Sequence, residues 1–475
     1  MLRIVVLGCV AVVVAIGVSS ALLFSGWADR LWPDSTALRA GRIRVPGDDG
    51  SGSPPVAATL PAADRAELDR AWLDPQFPPD VGAVEPYWPA FRGPRGDGKS
   101  LDTGLLKHWP EGGPPLKWKV GEIGEGYSSV AVVGESVYVT GDVDGQLMLF
   151  AFDSEGHQKW KVPHGPAWTG GYPGSRSTPT FSDRRLYLLS GHGWLGCFDA
   201  GTGKRLGLRV AEQFGGRPGE WGYSESPLVL GDLVIFRLGG EKCLVALDRQ
   251  TGSSVWTSRG LNATCEYGCS LAFEHAGRKL VATGTGQGLV CLDPQSGRIL
   301  WTNPFASGNL ANCTTPVYAD GYLFWAVGYG VGAICLKLDD AGLATEAWTS
   351  KEMDCHHGGY VIERGHVYGN HASSWSCLDL KTGQVRWNER GVGKGSLCWA
   401  DGMLYLLGEL SGEAALATCT PEGLEIRGRL KVQGEGSSWA HPVVAGRRLY
   451  LRYGDNLYCY DVSDREAEGR DIRMK

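Results

Sequence analysis

Cys355-His356-His357, with His371 further along the chain, is the run most like a metal site. Zinc takes four nitrogen or sulfur ligands, and neighbouring residues of a strand point to opposite faces, so only one of the two adjacent histidines is expected to enter a common site. Oxygen donors for a harder cation such as Ca²⁺ are available in Glu225, Glu266 and Asn312. Arg176 and Lys394 are the cations that would hold an anionic group. Cys265-x-x-x-Cys269, Cys313, Cys355 and Cys398 could pair in an oxidising compartment, with Cys265 bonded to Cys269 or to Cys313. Serine hydrolase chemistry is not indicated, because no Gly-x-Ser-x-Gly elbow stands at a strand-to-helix turn.

These residues take their places from a repeat. Eight segments share one layout of apolar strand, tight polar turn and second apolar strand. Tyr138, Tyr187, Ile235, Val281, Phe324, Tyr368, Tyr405 and Tyr450 mark the second strand of each, 37 to 49 residues apart. A second element follows the hairpin, as in Leu247-Asp248-x-x-Thr251-Gly252-x-x-x-Trp256, Leu292-Asp293-x-x-Ser296-Gly297-x-x-x-Trp301 and Leu378-Asp379-x-x-Thr382-Gly383-x-x-x-Trp387. Phe198-Asp199 with Thr202-Gly203, and Phe152-Asp153 with Gly156 and Trp160, are variants of it. Asp and Thr hydrogen-bond the turn, Gly accepts its positive φ, and Trp packs between neighbouring sheets. Four strands repeated at this period predict an all-β, eight-bladed β-propeller of four-stranded antiparallel blades. Leu116–Val120 is left over and is expected to complete the last blade, which ends near Asp461, so that no sheet edge stays open. Cys197, Cys291, Cys335, Cys377 and Cys459 share one repeat position and read as buried thiols.

In a propeller the residues just before each first strand line one mouth of the central channel. Those positions are Tyr127, Arg176, Glu225, Tyr267, Asn312, His357, Lys394, and Trp439 with His441. So varied and polar a ring predicts a ligand-binding mouth for a small molecule or a protein partner. A net charge of -6 and a pI near 6.0 argue against nucleic acid.

The Asp-x-x-Thr-Gly-x-x-x-Trp element resembles the tryptophan-docking repeat of the pyrroloquinoline quinone (PQQ) dehydrogenases. It is also similar to the repeat of their non-catalytic relatives, such as the propeller lipoprotein of the barrel-assembly machinery. The resemblance covers about Trp118 to Asp461. The entry segment Trp88-Pro-Ala-Phe91-Arg92-Gly93-Pro94-Arg-Gly96-Asp-Gly98 is similar to one that precedes bacterial PQQ-like propellers of unassigned function. For the enzyme branch the resemblance implies PQQ and Ca²⁺ at the channel mouth. Here the chain departs: no two cysteines adjoin, there is no Cys-x-x-Cys-His haem attachment sequence, and the propeller is shorter than the enzymes' catalytic domain. WD-type repeats have a similar period but require a Trp-Asp pair, which does not occur in this chain.

Ile4 to Phe24 carries no charge and is long enough to cross a membrane as a helix. With residues 1–33 it reads as a signal-anchor, followed by a Pro/Gly/Ala-rich linker over 34–86, with a short helix around Ala62 to Trp72, and the propeller over 87–475. The expected setting is the extracytoplasmic, periplasmic side of a membrane, or export if the segment is cleaved. Two readings follow: a membrane-anchored binding or scaffold module, and a quinoprotein-like oxidoreductase of alcohols or sugars that uses PQQ and Ca²⁺.

Overall fold

Arg185–Leu189 is buried along its whole length, and the second and third strands of the other repeats are nearly so. A strand with no solvated face must be covered on both sides. The computed structural model, which describes residues 60–65, 67–68, 72 and 85–464, solves this by stacking eight antiparallel sheets around an axis. Blade 1 spans residues 131–166, blade 2 180–210, blade 3 228–257, blade 4 271–303, blade 5 317–350, blade 6 360–389 and blade 7 395–431. Blade 8 takes three strands from 443–461 and its fourth from Leu116–Val120, which pairs antiparallel with Asn456–Asp461. The described residues therefore form an all-β propeller closed by the pairing of Leu116–Val120 with the last strand of the repeats. The expected membrane segment lies outside the described residues, and among these no helix is long and apolar enough to cross a membrane. Of the short helix expected from Ala62 to Trp72, the described residues include one turn, Ala62–Arg65; residues 66 and 69–71 lie outside them.

The turn element works as its residues demand. In blade 3, Asp248 Oδ1 accepts from the backbone N–H of Gln250 at 3.1 Å, from that of Thr251 at 2.7 Å and from the Thr251 hydroxyl at 2.8 Å, while Gly252 takes φ 70°. A left-handed turn of this kind favours glycine. The closeness of the neighbour makes it obligatory, since a Cβ on Gly297 or Gly383 would meet the ring of Trp256 or Trp348 within 2.5 Å. Each tryptophan thus roofs the glycine turn of the next blade.

Blades 2 and 7 have no tryptophan of their own there. Gly207 and Gly428 occupy the register position, opposite Cys197 and Leu416, that Trp256 and Trp387 hold opposite Ala246 and Cys377. Trp72 and Trp109, both upstream of the repeats, fill the two vacancies: a Cβ at Gly207 would meet Trp72 at 1.9 Å and one at Gly428 would meet Trp109 at 2.4 Å. Their rings lie 6.0 Å from Tyr187 and 6.0 Å from Tyr405, much as Trp387 lies 6.0 Å from Tyr368. Trp72 packs on Gly252 as well.

Around the axis the first strands of successive blades touch and are linked by side chains at one repeat position. Ser129 N–H donates to Thr178 Oγ1 (3.0 Å), Thr178 N–H to Ser226 Oγ (2.9 Å), Ser226 N–H to Cys269 Sγ (3.2 Å) and Cys269 N–H to Thr315 Oγ1 (3.1 Å). On the other side of blade 1, His441 N–H of blade 8 donates to Ser129 Oγ at 2.9 Å. The entry segment crosses inside this ring. Tyr87–Trp88 pairs with Val132–Val133 of blade 1, Phe181 N–H donates to Pro89 O, Arg92 Nη2 donates to Tyr360 O in blade 6, and Ser100 N–H donates to Trp399 O in blade 7. Residues 87–100 therefore plug the channel.

Candidate functional site

Because first strands converge on the axis, the loops that enter them bring side chains from seven of the eight blades into one partly open cavity of about 170 Å³. That exceeds the roughly 150 Å³ apolar cavity that accommodates benzene in an engineered protein. Of the sequence candidates, Tyr127, Arg176, Tyr267, His357, Trp439 and His441 line it. Phe91 of the crossing segment closes one side, its ring 4.9 Å from that of His441.

The lining is largely aromatic. Trp439 lies at its centre, 4.4 Å from Tyr127 and 4.4 Å from His357, with interplanar angles of 34° and 28°. From His357 the contacts continue to His356 (3.6 Å) and Tyr329 (4.6 Å), and on the other flank from Trp439 to Tyr172 (5.6 Å), Trp221 (6.0 Å from Tyr172) and Tyr267 (5.3 Å from Trp221). Tyr172, Trp221 and Tyr329 were not singled out from the sequence, because they lie in connections or turns away from the repeat position used to place the mouth; His356 was read only as part of the metal-like run, not as a mouth residue.

Among the described residues Arg176 carries the one permanent charge on the lining, and these include no carboxylate. Its Nη1 donates to Trp221 O and its Nη2 to Gly171 O (2.9 Å) and Tyr172 O, so the guanidinium is held in place by backbone. Burial lowers its pKa to about 10, which leaves it protonated at neutral pH. Burial likewise drives His356 and His441 down to about 3 and His357 well below the ordinary imidazole value, so all three are neutral.

Neutrality assigns the tautomer of His356. Lys394 Nζ, which has only donors, lies 2.9 Å from Nδ1, so Nδ1 accepts and the ring proton is on Nε2. That proton is donated to Tyr329 Oη at 2.7 Å. The Tyr329 hydroxyl proton is then free to serve another acceptor, and Tyr329 lines the cavity.

Three of the mouth candidates, Glu225, Asn312 and Lys394, do not line the cavity, nor does the candidate calcium ligand Glu266. Glu225 and Arg237 are each at most 2% exposed and pair at 3.1 Å; Arg237 also donates to Gly284 O (2.7 Å) and Gly268 O. Asn312 is buried, its amide donating to Thr285 O (3.2 Å) and Ala306 O (3.3 Å). Lys394 stands behind His356 and pairs with Glu409 at 3.1 Å. Glu266 accepts from Asn312 N–H at 2.8 Å and from the Thr264 hydroxyl at 3.0 Å. The expected opposite orientation of His356 and His357 is corrected: residues 356–358 form a bend, not a strand, and both imidazoles line the cavity. Cys355 is buried and points its thiol at Gly359 O. All twelve cysteines among the described residues are free thiols, so neither disulfide considered for Cys265 forms.

The family model described as outer membrane protein assembly factor BamB matches residues 143–389, more than half of the chain. No curated protein sequence matches. Among solved structures the chain is similar to BamB from Moraxella catarrhalis, at 15% identity over 73% of this chain and 97% of that one, with a TM-score of 0.53. It is also similar to the quinohemoprotein alcohol dehydrogenase from Comamonas testosteroni (13% identity, 81% of this chain, 82% of that one, TM-score 0.60) and to a europium-containing methanol dehydrogenase (12% identity, 78% and 90%, TM-score 0.58). At such identities the likeness is one of fold. The donor set does not fit a Ca²⁺–PQQ pair. A planar tricarboxylate would meet one guanidinium, and the candidate calcium ligands Glu225 and Glu266 are committed to Arg237 and to the Thr264–Asn312 segment.

Proposed function

The chain belongs to the PQQ-like propeller family of the outer membrane protein assembly factor BamB, and on that premise we propose that it is a binding module whose ring serves as scaffold for the cavity at its axis. The occupant is a small planar molecule with an anionic or hydrogen-bond-accepting edge. One observation carries this reading: an aromatic cavity whose sole permanent charge among the described residues is the backbone-clamped Arg176, with no carboxylate among them in its wall. An aromatic cage ordinarily suits a cation. Here the positive charge of Arg176 and the donor hydroxyl of Tyr329 favour an acceptor instead. A protein partner, as the family description suggests for BamB itself, would reach this cavity only with a side chain or a terminus. The same proposal places the module at the extracytoplasmic face of a membrane, held by Ile4–Phe24.

The test is a titration of the full chain with benzoate and nicotinate, with nicotinamide as the uncharged counterpart, followed by tryptophan fluorescence. The carboxylates should quench at lower concentration than the amide, and Arg176→Gln should weaken them about tenfold or more. Absence of quenching, or quenching unchanged by Trp439→Ala, would sink the reading. Retained quinone absorbance after titration with PQQ and Ca²⁺, together with dye reduction by alcohols, would replace it with the oxidoreductase. Cleavage of a carboxyl-terminal tag by protease added to spheroplasts would support the extracytoplasmic placement; protection of the tag until the cytoplasmic membrane is lysed would refute it.

A further inference from the structure

We propose that Cys313, His356 and His357 form a binding site for a single thiophilic late transition-metal ion, Zn²⁺ or Cu⁺, in the wall of the axial cavity. One ligand atom from each residue lies within 4.8 Å of the other two. The cluster joins two blades: Cys313 enters the first strand of blade 5, and the two histidines enter that of blade 6. Ordinary strand geometry would have separated the histidines. The bend at 356–358 turns both rings to the same side, 3.6 Å apart, and the close approach of His356 to Gly328, where a Cβ would meet it at 3.1 Å, sets the backbone there.

The chemistry of the donors selects the ion. One sulfur and two imidazole nitrogens suit Zn²⁺ and Cu⁺, whereas Ca²⁺ and Mg²⁺ require oxygens, which the cluster lacks. His357 Nδ1 is buried without a hydrogen-bond partner among the described residues, a costly state for a polar atom that a metal would relieve. All three residues border the cavity, so the fourth coordination position faces it, as in sites that keep one position for water or a ligand.

Two neighbours must yield. Tyr329 Oη engages His356 Nε2 and Lys394 Nζ engages Nδ1. A metal on either nitrogen leaves a proton or the ion itself facing the ammonium, and Glu409, already 3.1 Å from Lys394 Nζ, is where that charge can withdraw. The site does not depend on the planar ligand proposed above: a failed carboxylate titration beside an intact metal titration separates the two.

The experiment uses Co²⁺ as a spectroscopic probe on the reduced, metal-stripped full chain. Wild type should develop a thiolate-to-cobalt charge-transfer band at one equivalent, bleached by Zn²⁺. Competition against chelators of known affinity then ranks Zn²⁺ and Cu⁺. Cys313→Ser should abolish the band, whereas Cys419→Ser, which removes the other partly exposed thiol among the described residues, should retain it. His357→Gln, with folding checked by circular dichroism, should lower the cobalt affinity at least tenfold, and Lys394→Met should raise it. A wild-type protein without the band, a band that survives Cys313→Ser, or an affinity unchanged in folded His357→Gln would each overturn the proposal.

Discussion

Residues of one type serve opposite ends in this chain according to what burial leaves them. Glu225 has the side chain of a cation ligand and sits at the repeat position that faces the channel, yet Arg237 holds it in the wall between blades 3 and 4. Removing one partner of so buried a pair leaves an uncompensated charge, so Glu225→Ala should destabilise the fold by about 3–5 kcal/mol in urea unfolding. Asp142 is the contrasting case. Both of its carboxylate oxygens are buried without a well-formed hydrogen bond, and burial pushes its pKa from 3.8 up to about 7, against the pull of Arg452 and Arg176. A folded-state value raised above the unfolded one means that folding takes up a proton. Stability from this group is therefore full below about pH 4 and is lost as pH rises through 7. Asp142→Asn should melt above wild type at pH 8 by ~1–3 kcal/mol, with the gap closing towards pH 4; a gap independent of pH would contradict this origin. The sequence showed Glu225 as a titratable side chain before a first strand and gave no sign of Asp142, which lies in the second strand of blade 1. It could not show their partners, because Arg237 and Arg452 are chosen by contacts between strands and between blades.

Among the elements, the tryptophan-roofed turn was legible because Asp, Thr, Gly and Trp recur at fixed offsets, each answering a local demand of the turn. What could not be read locally is that blades 2 and 7 borrow Trp72 and Trp109. Gly207 and Gly428 leave the room, and upstream residues that match no repeat fill it. Trp72→Ala should therefore cost about 3–5 kcal/mol, like the loss of any core tryptophan, although it lies outside the repeats. Adding Gly207→Trp to that variant should recover part of the loss in thermal melts; no recovery would mean that Trp72 does more than occupy the vacant position. The histidine pair taught the converse lesson. Alternation along a strand was the wrong rule for residues 356–358, since the chain bends there before the strand begins.

For the whole molecule, closure is the main economy. Leu116–Val120 covers the outer edge of blade 8, and residues 87–100 seal the channel beneath the cavity. A chain starting at residue 122 should aggregate through the exposed edge of Asn456–Asp461 in analytical ultracentrifugation, whereas one starting at residue 101, which keeps the closing strand and Trp109, should stay monomeric. Equal behaviour of the two would deny the strand its role.

The sequence by itself determined the blade count, the strand order within each blade, the turns and the closing strand, because these follow from short-range periodicity and from the need to leave no open edge. It also placed six of the cavity's lining residues, since they share a repeat position. Only the tertiary structure decided which polar residues face the cavity and which are spent on the walls, that the entry segment fills the channel, and that Cys313 rather than Cys355 meets the two histidines. Those outcomes depend on side chains from different blades meeting at an axis, a distance in space that no spacing along the chain encodes.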